Sequence, residues 1–153
     1  MKDIFVFDES STIAAATGKN ERGGEDSSAK QLLERIVVNC HAMAFSSELY
    51  ARTLSRLDNL KGIDSPFVGE VLSLFTSIIR NTEKFVFDPD PPVLEDETHI
   101  PEDDRYWIRL AIHTRAIAIT TDNRLLDTLN QTSITASHSL AILRPESALA
   151  RFL

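Results

Sequence analysis

Three aspartates carry the strongest chemical signal in this chain of 153 residues. Asp8 directly follows the apolar run IFVF at residues 4–7. Asp122 follows AIAIT at residues 116–120, with one threonine between. Asp104 opens an amphipathic segment at residues 102–115. Carboxylates are hard oxygen donors of the kind that hold Mg²⁺ or Ca²⁺. If the two apolar runs are parallel strands, the place to look for a ligand is off their carboxyl ends. A crossover would bring the start of the 102–115 helix to that same edge. Three acids gathered there repel one another unless they are protonated or share a cation, so convergence itself favours a divalent metal site. Each acid taken singly has a plainer reading. Asp8 and Asp122 are good N-caps for the helices that follow. Asp104 belongs to Glu102-Asp103-Asp104, an acidic first turn that the helix dipole favours.

The elements that would position these acids alternate. Short apolar runs at 4–7, 42–45, 84–87, 116–120 and 139–143 read as buried strands. Helical periodicity covers 10–17, 28–39, 46–57, 66–80, 102–115, 122–130 and 145–152. Ser46 suits the cap of the 46–57 helix. Ser65 and Pro66 suit the cap and first position of the 66–80 helix. Strands alternating with helices imply an α/β fold, a single three-layer domain over 1–153 with a central parallel sheet of about five strands flanked by helices. Two segments break the pattern. Residues 18–26 hold three of the five glycines and read as a loop. Residues 88–101 hold four of the six prolines and five acids, so they form neither helix nor central strand. A long loop of that kind in a compact domain is often functional. In the 66–80 helix, Phe67, Val71, Leu74, Phe75 and Ile78 form one apolar stripe, and Val68, Leu72 and Ile79 a neighbouring one. Two stripes mean deep burial between layers or a homodimer face.

Composition bounds the function classes. Hydrophobic residues make up 42% and charged residues 25%, the balance of a soluble globular protein. No apolar run approaches the roughly 20 residues that span a bilayer, and the N-terminus does not read as a secretory signal. No membrane association is expected. The single cysteine, Cys40, excludes an internal disulfide and any cysteine metal cluster; it is expected in the core, and a cytoplasmic setting follows by default. The net charge of −7 excludes a protein that holds nucleic acid by bulk positive charge. It leaves open a nuclease that concentrates acid at its site. The four histidines show no metal-ligand spacing, and Gly23-Gly24 fits no nucleotide cradle. Asp8 could also be a phosphoacceptor after a first strand, but the D-x-D pattern fails because Ser10 stands two residues on.

At this point the residues resemble a known family, the PIN-domain ribonucleases, which include the VapC-type toxins. DIFVFDESSTIAAA resembles the family's first strand and its first acid, here Asp8. DRYWIRLAIHTRAIAITTDNRLL resembles its second signature, with Asp104, Ala111 seven residues later, and Asp122 eleven beyond that, closing a T-x-D motif at Thr120. SLAILRPESAL resembles the last strand and helix. The resemblance covers nearly the whole chain, and its register selects Asp104 over Asp103. It implies a PIN-like fold and a Mg²⁺- or Mn²⁺-dependent endoribonuclease. Asp8, Asp104 and Asp122 would hold the metal, and the cation would activate water and stabilise charge on the phosphate. Such an enzyme is either the toxin of a toxin–antitoxin pair, its site covered by a small antitoxin protein, or a stand-alone RNA-processing nuclease. One position departs from the pattern. Where the family carries a glutamate about six residues after the helix-opening serine, this chain has Arg52. Glu48, one turn earlier, either joins the catalytic acids or forms an exposed i,i+4 ion pair with Arg52. The second reading motivates an alternative, a catalytically degenerate PIN-fold module that binds RNA or protein. A third is an unrelated α/β protein whose acids are only caps.

Substrate contacts follow from charge. Arg105, Arg109 and His113 recur every four residues as one basic stripe, and Arg124 closely follows Asp122. Arg105, Arg109, Arg124 and Thr120 are the candidate RNA contacts, set against the plainer reading of a solvated helix face. Ser10, Thr121 and Asn123 are candidates to position ligands or water. Tyr106 and Trp107 could stack on a base, although Trp107 reads more readily as core.

Overall fold

The first strand is IFVF, whose last three residues are buried, and it ends where the chain meets Asp8. Such a run, apolar on both faces, belongs in the middle of a parallel sheet covered on both sides. The computed structural model describes residues 2–62 and 65–152 and bears this out. Met1, Ile63, Asp64 and Leu153, which the single-domain expectation also spans, lie outside the described residues. Five strands, β1 (Ile4–Phe7), β2 (Ala42–Phe45), β3 (Phe85–Phe87), β4 (Ile117–Ile119) and β5 (Ile142–Leu143), form one sheet in the order β3-β2-β1-β4-β5. Every neighbouring pair is parallel. The helices are α1 (Glu9–Thr17), α2 (Ser28–Val38), α3 (Ser47–Asn59), α4 (Val68–Ile79), α5 (Arg105–Thr114), α6 (Asn123–Asn130), α7 (Ile134–Ser137) and α8 (Pro145–Phe152).

The strand order carries the functional consequence. The chain steps outward from β1 to β2 to β3, then returns past β1 to β4 and β5. Right-handed crossovers therefore place α1 to α4 on one face and α5 to α7 on the other. Accordingly α1, α2 and α4 pack on one another, while α5 packs on β1 and β2. The chain reverses direction between β1 and β4, so the loops leaving these two strands diverge to opposite faces. Beyond the carboxyl ends of such a pair lies the crevice where open α/β sheets bind ligands.

Several elements differ from the sequence expectation, each for a tertiary reason. The helix expected from Pro66 begins at Val68, with Phe67 at the cap position and no side-chain cap bond. The Phe67 N–H is taken by the carbonyl of Ala16 (3.0 Å), and its ring presses on Gly18, where an added Cβ would stand 2.6 Å from the ring. Gly18 is itself the left-handed C-cap of α1 (φ 68°). The strand expected over 139–143 shrinks to Ile142–Leu143. Ser139 is left-handed (φ 51°) and the Leu140 N–H bonds to Thr135 O, so both residues close α7, a helix that periodicity does not announce. The 102–115 helix opens as a 3₁₀ turn, Glu102–Asp104, before α5. Cys40, expected in the core, is exposed in the bend between α2 and β2. The two stripes of α4 part company. Val71, Phe75 and Ile78 are fully buried, whereas Val68, Leu72 and Ile79 remain half-covered.

Candidate functional site

Asp8 sits at the tip of β1, where its N–H still bonds the Ile119 carbonyl of β4 (3.1 Å). Asp8 is 4% exposed, and its carboxylate receives four hydrogen bonds from two side chains and one backbone amide. Ser10 Oγ donates at 2.8 and 2.9 Å, the Ser11 N–H at 2.8 Å and Thr120 Oγ1 at 2.6 Å. The Ser11 bond is the N-cap of α1, so the capping reading of Asp8 holds as local geometry. Capping does not require burial. Burial pushes the Asp8 carboxyl up to about 6, against the pull of those hydrogen bonds.

Asp122 caps α6 by accepting from the Leu125 N–H (3.2 Å). Its own N–H donates to Thr120 Oγ1 (3.0 Å), so a single hydroxyl links Asp122 to Asp8 across the mouth of the crevice. Ser10 Oγ ties the same two loops by accepting the Thr121 N–H (3.3 Å). Asp104 arrives from the opposite side at the last residue of the 3₁₀ turn. It makes no cap bond; instead its Oδ1 accepts from the buried Trp107 indole N–H (3.0 Å). Its carboxyl is raised, first by partial burial and then by repulsion from Asp122, Asp103 and Glu9, with the indole bond opposing. The three aspartates line one open cleft of about 380 Å³ together with Glu9, Arg52 and Arg56.

The other expected residues fall elsewhere. Glu48 is exposed and paired with Arg52 (2.9 Å), and it lines the neighbouring hollow instead of the aspartate cleft. Thr120 has no exposed surface, so it can orient Asp8 and Asp122 but cannot touch a substrate. The basic stripe of α5 is turned to the acidic loop. Arg105 Nε donates to Ile100 O (3.0 Å), Arg109 Nε to the buried Glu97 (2.8 Å), and His113 pairs with Asp88. His138 completes the strap by bonding Asp96 (3.0 Å). Arg124 is exposed at the start of α6. Trp107 is core, whereas Tyr106 is half-buried at the cleft, with the Arg52 guanidinium 4.5 Å above its ring.

Two cleft residues, Glu9 and Arg56, escape the sequence reading. Glu9 looks like an ordinary first-turn acid, and Arg56 gives itself away only by standing four residues after Arg52. Arg52 and Arg56 approach Glu9 at 3.7 and 3.6 Å.

The residues suit a hard, partly hydrated cation. The donors are all carboxylate oxygens, and the repulsion of Asp104 by Asp122, Asp103 and Glu9, which adds to the effect of its burial, is what a divalent ion would relieve. Among the described residues no group of three or more His, Cys, Asp or Glu side chains stands close enough to hold a metal ion by itself. No protein-family model, curated protein or solved structure matches the chain.

Proposed function

We propose that this protein is a Mg²⁺- or Mn²⁺-dependent endoribonuclease of PIN type. One observation supports the reading above the rest. Asp8, Asp104 and Asp122, from three separate stretches of chain, line one cleft at the point where the strand order reverses. Caps alone need no such meeting, and a buried Asp8 is costly unless its charge is used. Asp8 and Asp122, at the ends of β1 and β4, and Asp104, at the 3₁₀ turn before α5, would hold the cation. Thr120 and Ser10 fix the first two, and the Trp107 indole fixes the third. The bound cation supplies Lewis-acid activation of water and neutralises charge on the scissile phosphate.

The partners proposed are RNA, an antitoxin protein that would cover the open cleft if the enzyme is a toxin, and a second copy of the chain. The half-covered stripe Val68, Leu72 and Ile79 on α4 favours the homodimer, and light scattering reads it directly. Among the described residues no helix is long and apolar enough to cross a membrane. A second reading, a degenerate PIN-fold binding module, is favoured by Arg52, which brings a positive charge into the cleft and holds Glu48 outside it.

Titration calorimetry with Mn²⁺ decides between them. Wild type should bind, and Asp8→Asn and Asp122→Asn, both folded, should each lose at least tenfold in affinity and all RNA cleavage. Silence from a folded wild type would retire the nuclease.

A further inference from the structure

The ribonuclease reading leaves open what would hold the RNA, since the cleft is rich in acid and the basic stripe of α5 is bound to the loop. Three adjoining hollows meet at the cleft, and Arg52 lines all of them. One, of about 390 Å³, runs outward along α3 past Arg56, Ser55 and Asn59. The second is the aspartate cleft. The third, of about 330 Å³, leads toward Arg105 and Arg109. Guanidinium groups line all three, Arg52 and Arg56 from α3 and Arg105 and Arg109 from α5.

We propose that Arg52 and Arg56 are the phosphate clamp of a single-stranded RNA track that crosses the acidic cleft; the proposal rests on the ribonuclease reading and extends it. The two side chains stand four residues apart on one face of α3 and are 43% and 51% exposed. Their contacts with Glu9, at 3.7 and 3.6 Å, are longer than the 2.7–2.9 Å of a well-formed charge-assisted bond, so an incoming phosphate can take their place. Arg52 is already oriented by stacking over Tyr106 and by its bond to Glu48, and its Nη1 points at the weak partner. A planar guanidinium grips phosphate through two parallel bonds. The clamp also answers a problem of charge. A chain of net charge −7 repels RNA, and these two arginines are the cations that line the aspartate cleft.

The test compares binding of a fluorescein-labelled single-stranded RNA, read by anisotropy in Ca²⁺ across a salt series. The proteins are wild type, Arg52→Gln/Arg56→Gln, and Arg80→Gln, which removes a single positive charge at the far end of α4. The double variant should bind at least tenfold more weakly. Its dependence of log K on log salt should be shallower by about 0.7 for each lost contact. Its Mn²⁺ affinity should be kept or raised, because a competing cation has gone. Wild-type affinity and slope in the double variant, or an equal loss in Arg80→Gln, would overturn the clamp. If the double variant loses RNA while wild type takes no Mn²⁺, the clamp stands and the hydrolytic reading falls.

Discussion

At the scale of single residues, Asp8 works against the fold that holds it. Its carboxyl, pushed up to about 6 from the free value of 3.8, is tolerated when protonated and resisted when ionised. The folded protein therefore binds the proton more tightly than the unfolded chain. The stability this contributes is fully present below pH 4 and is lost as pH rises to about 6, amounting to about 3 kcal/mol. Asparagine keeps the acceptor for the Ser11 N–H, and the Ser10 and Thr120 hydroxyls can turn to accept from its amide. In EDTA, urea unfolding should find Asp8→Asn more stable than wild type by about 1–3 kcal/mol above pH 6, with the gap closing toward pH 4. A variant less stable than wild type at pH 7.5 would make Asp8 a structural cap. Asp8 and Asp122 were legible from their places after apolar runs, and Asp104 from the register of the family resemblance. The balance of burial against four hydrogen bonds was not, because Thr120 lies 112 residues away along the chain.

At the scale of elements, local patterning located every strand and most helices, since buried runs and periodic stripes are local properties. It missed what tertiary contact decides. Examples are the start of α4, delayed by the bond from Phe67 to Ala16, and the trimming of β5 by the left-handed Ser139. The stripe Arg105, Arg109 and His113 was visible, but its partner was not. The charges it answers, Asp88 and Glu97, lie in a loop whose path only the fold reveals. That stripe is a strap, and it anchors the segment leading into Asp104. Arg109 holds the Glu97 carboxyl below the usual carboxylate range, and Glu97 also takes the Leu94 N–H (3.1 Å). Arg109→Ala leaves Glu97 buried without its counter-charge. Since the Arg109 side chain is itself 25% exposed, the cost should be about 2–3 kcal/mol instead of the full penalty for a buried pair. Denaturant unfolding measures it. Arg109→Ala combined with Glu97→Gln should recover part of the loss, because the stranded charge is gone. No recovery would mean that the arginine acts through packing alone.

At the scale of the whole molecule, the sheet order makes one place unlike the rest. Because β1 is the strand from which the chain departs in one direction and to which it returns from the other, Asp8 and the loop bearing Asp122 are neighbours on diverging paths. The start of α5 closes the third side. The alternation of elements announced a parallel sheet, but not the order that creates this crevice, and not the two arginines that α3 brings to it. A molecule that gathers like charge at its point of divergence should be stabilised by whatever neutralises it. Binding to the native state alone raises stability by RT ln(1 + [L]/Kd), about 2.7 kcal/mol at a hundredfold excess over Kd. For a domain of this size that corresponds to a rise in melting temperature of roughly 5–10 °C. Differential scanning calorimetry of wild type with Mn²⁺ against EDTA should show that rise. Asp8→Asn, Asp104→Asn and Asp122→Asn should each abolish most of it, and Glu48→Gln, whose side chain lies outside the aspartate cleft, should retain it. If instead the three aspartate variants keep the shift, the cation binds elsewhere and the acids of the crevice are caps that the topology happens to bring together.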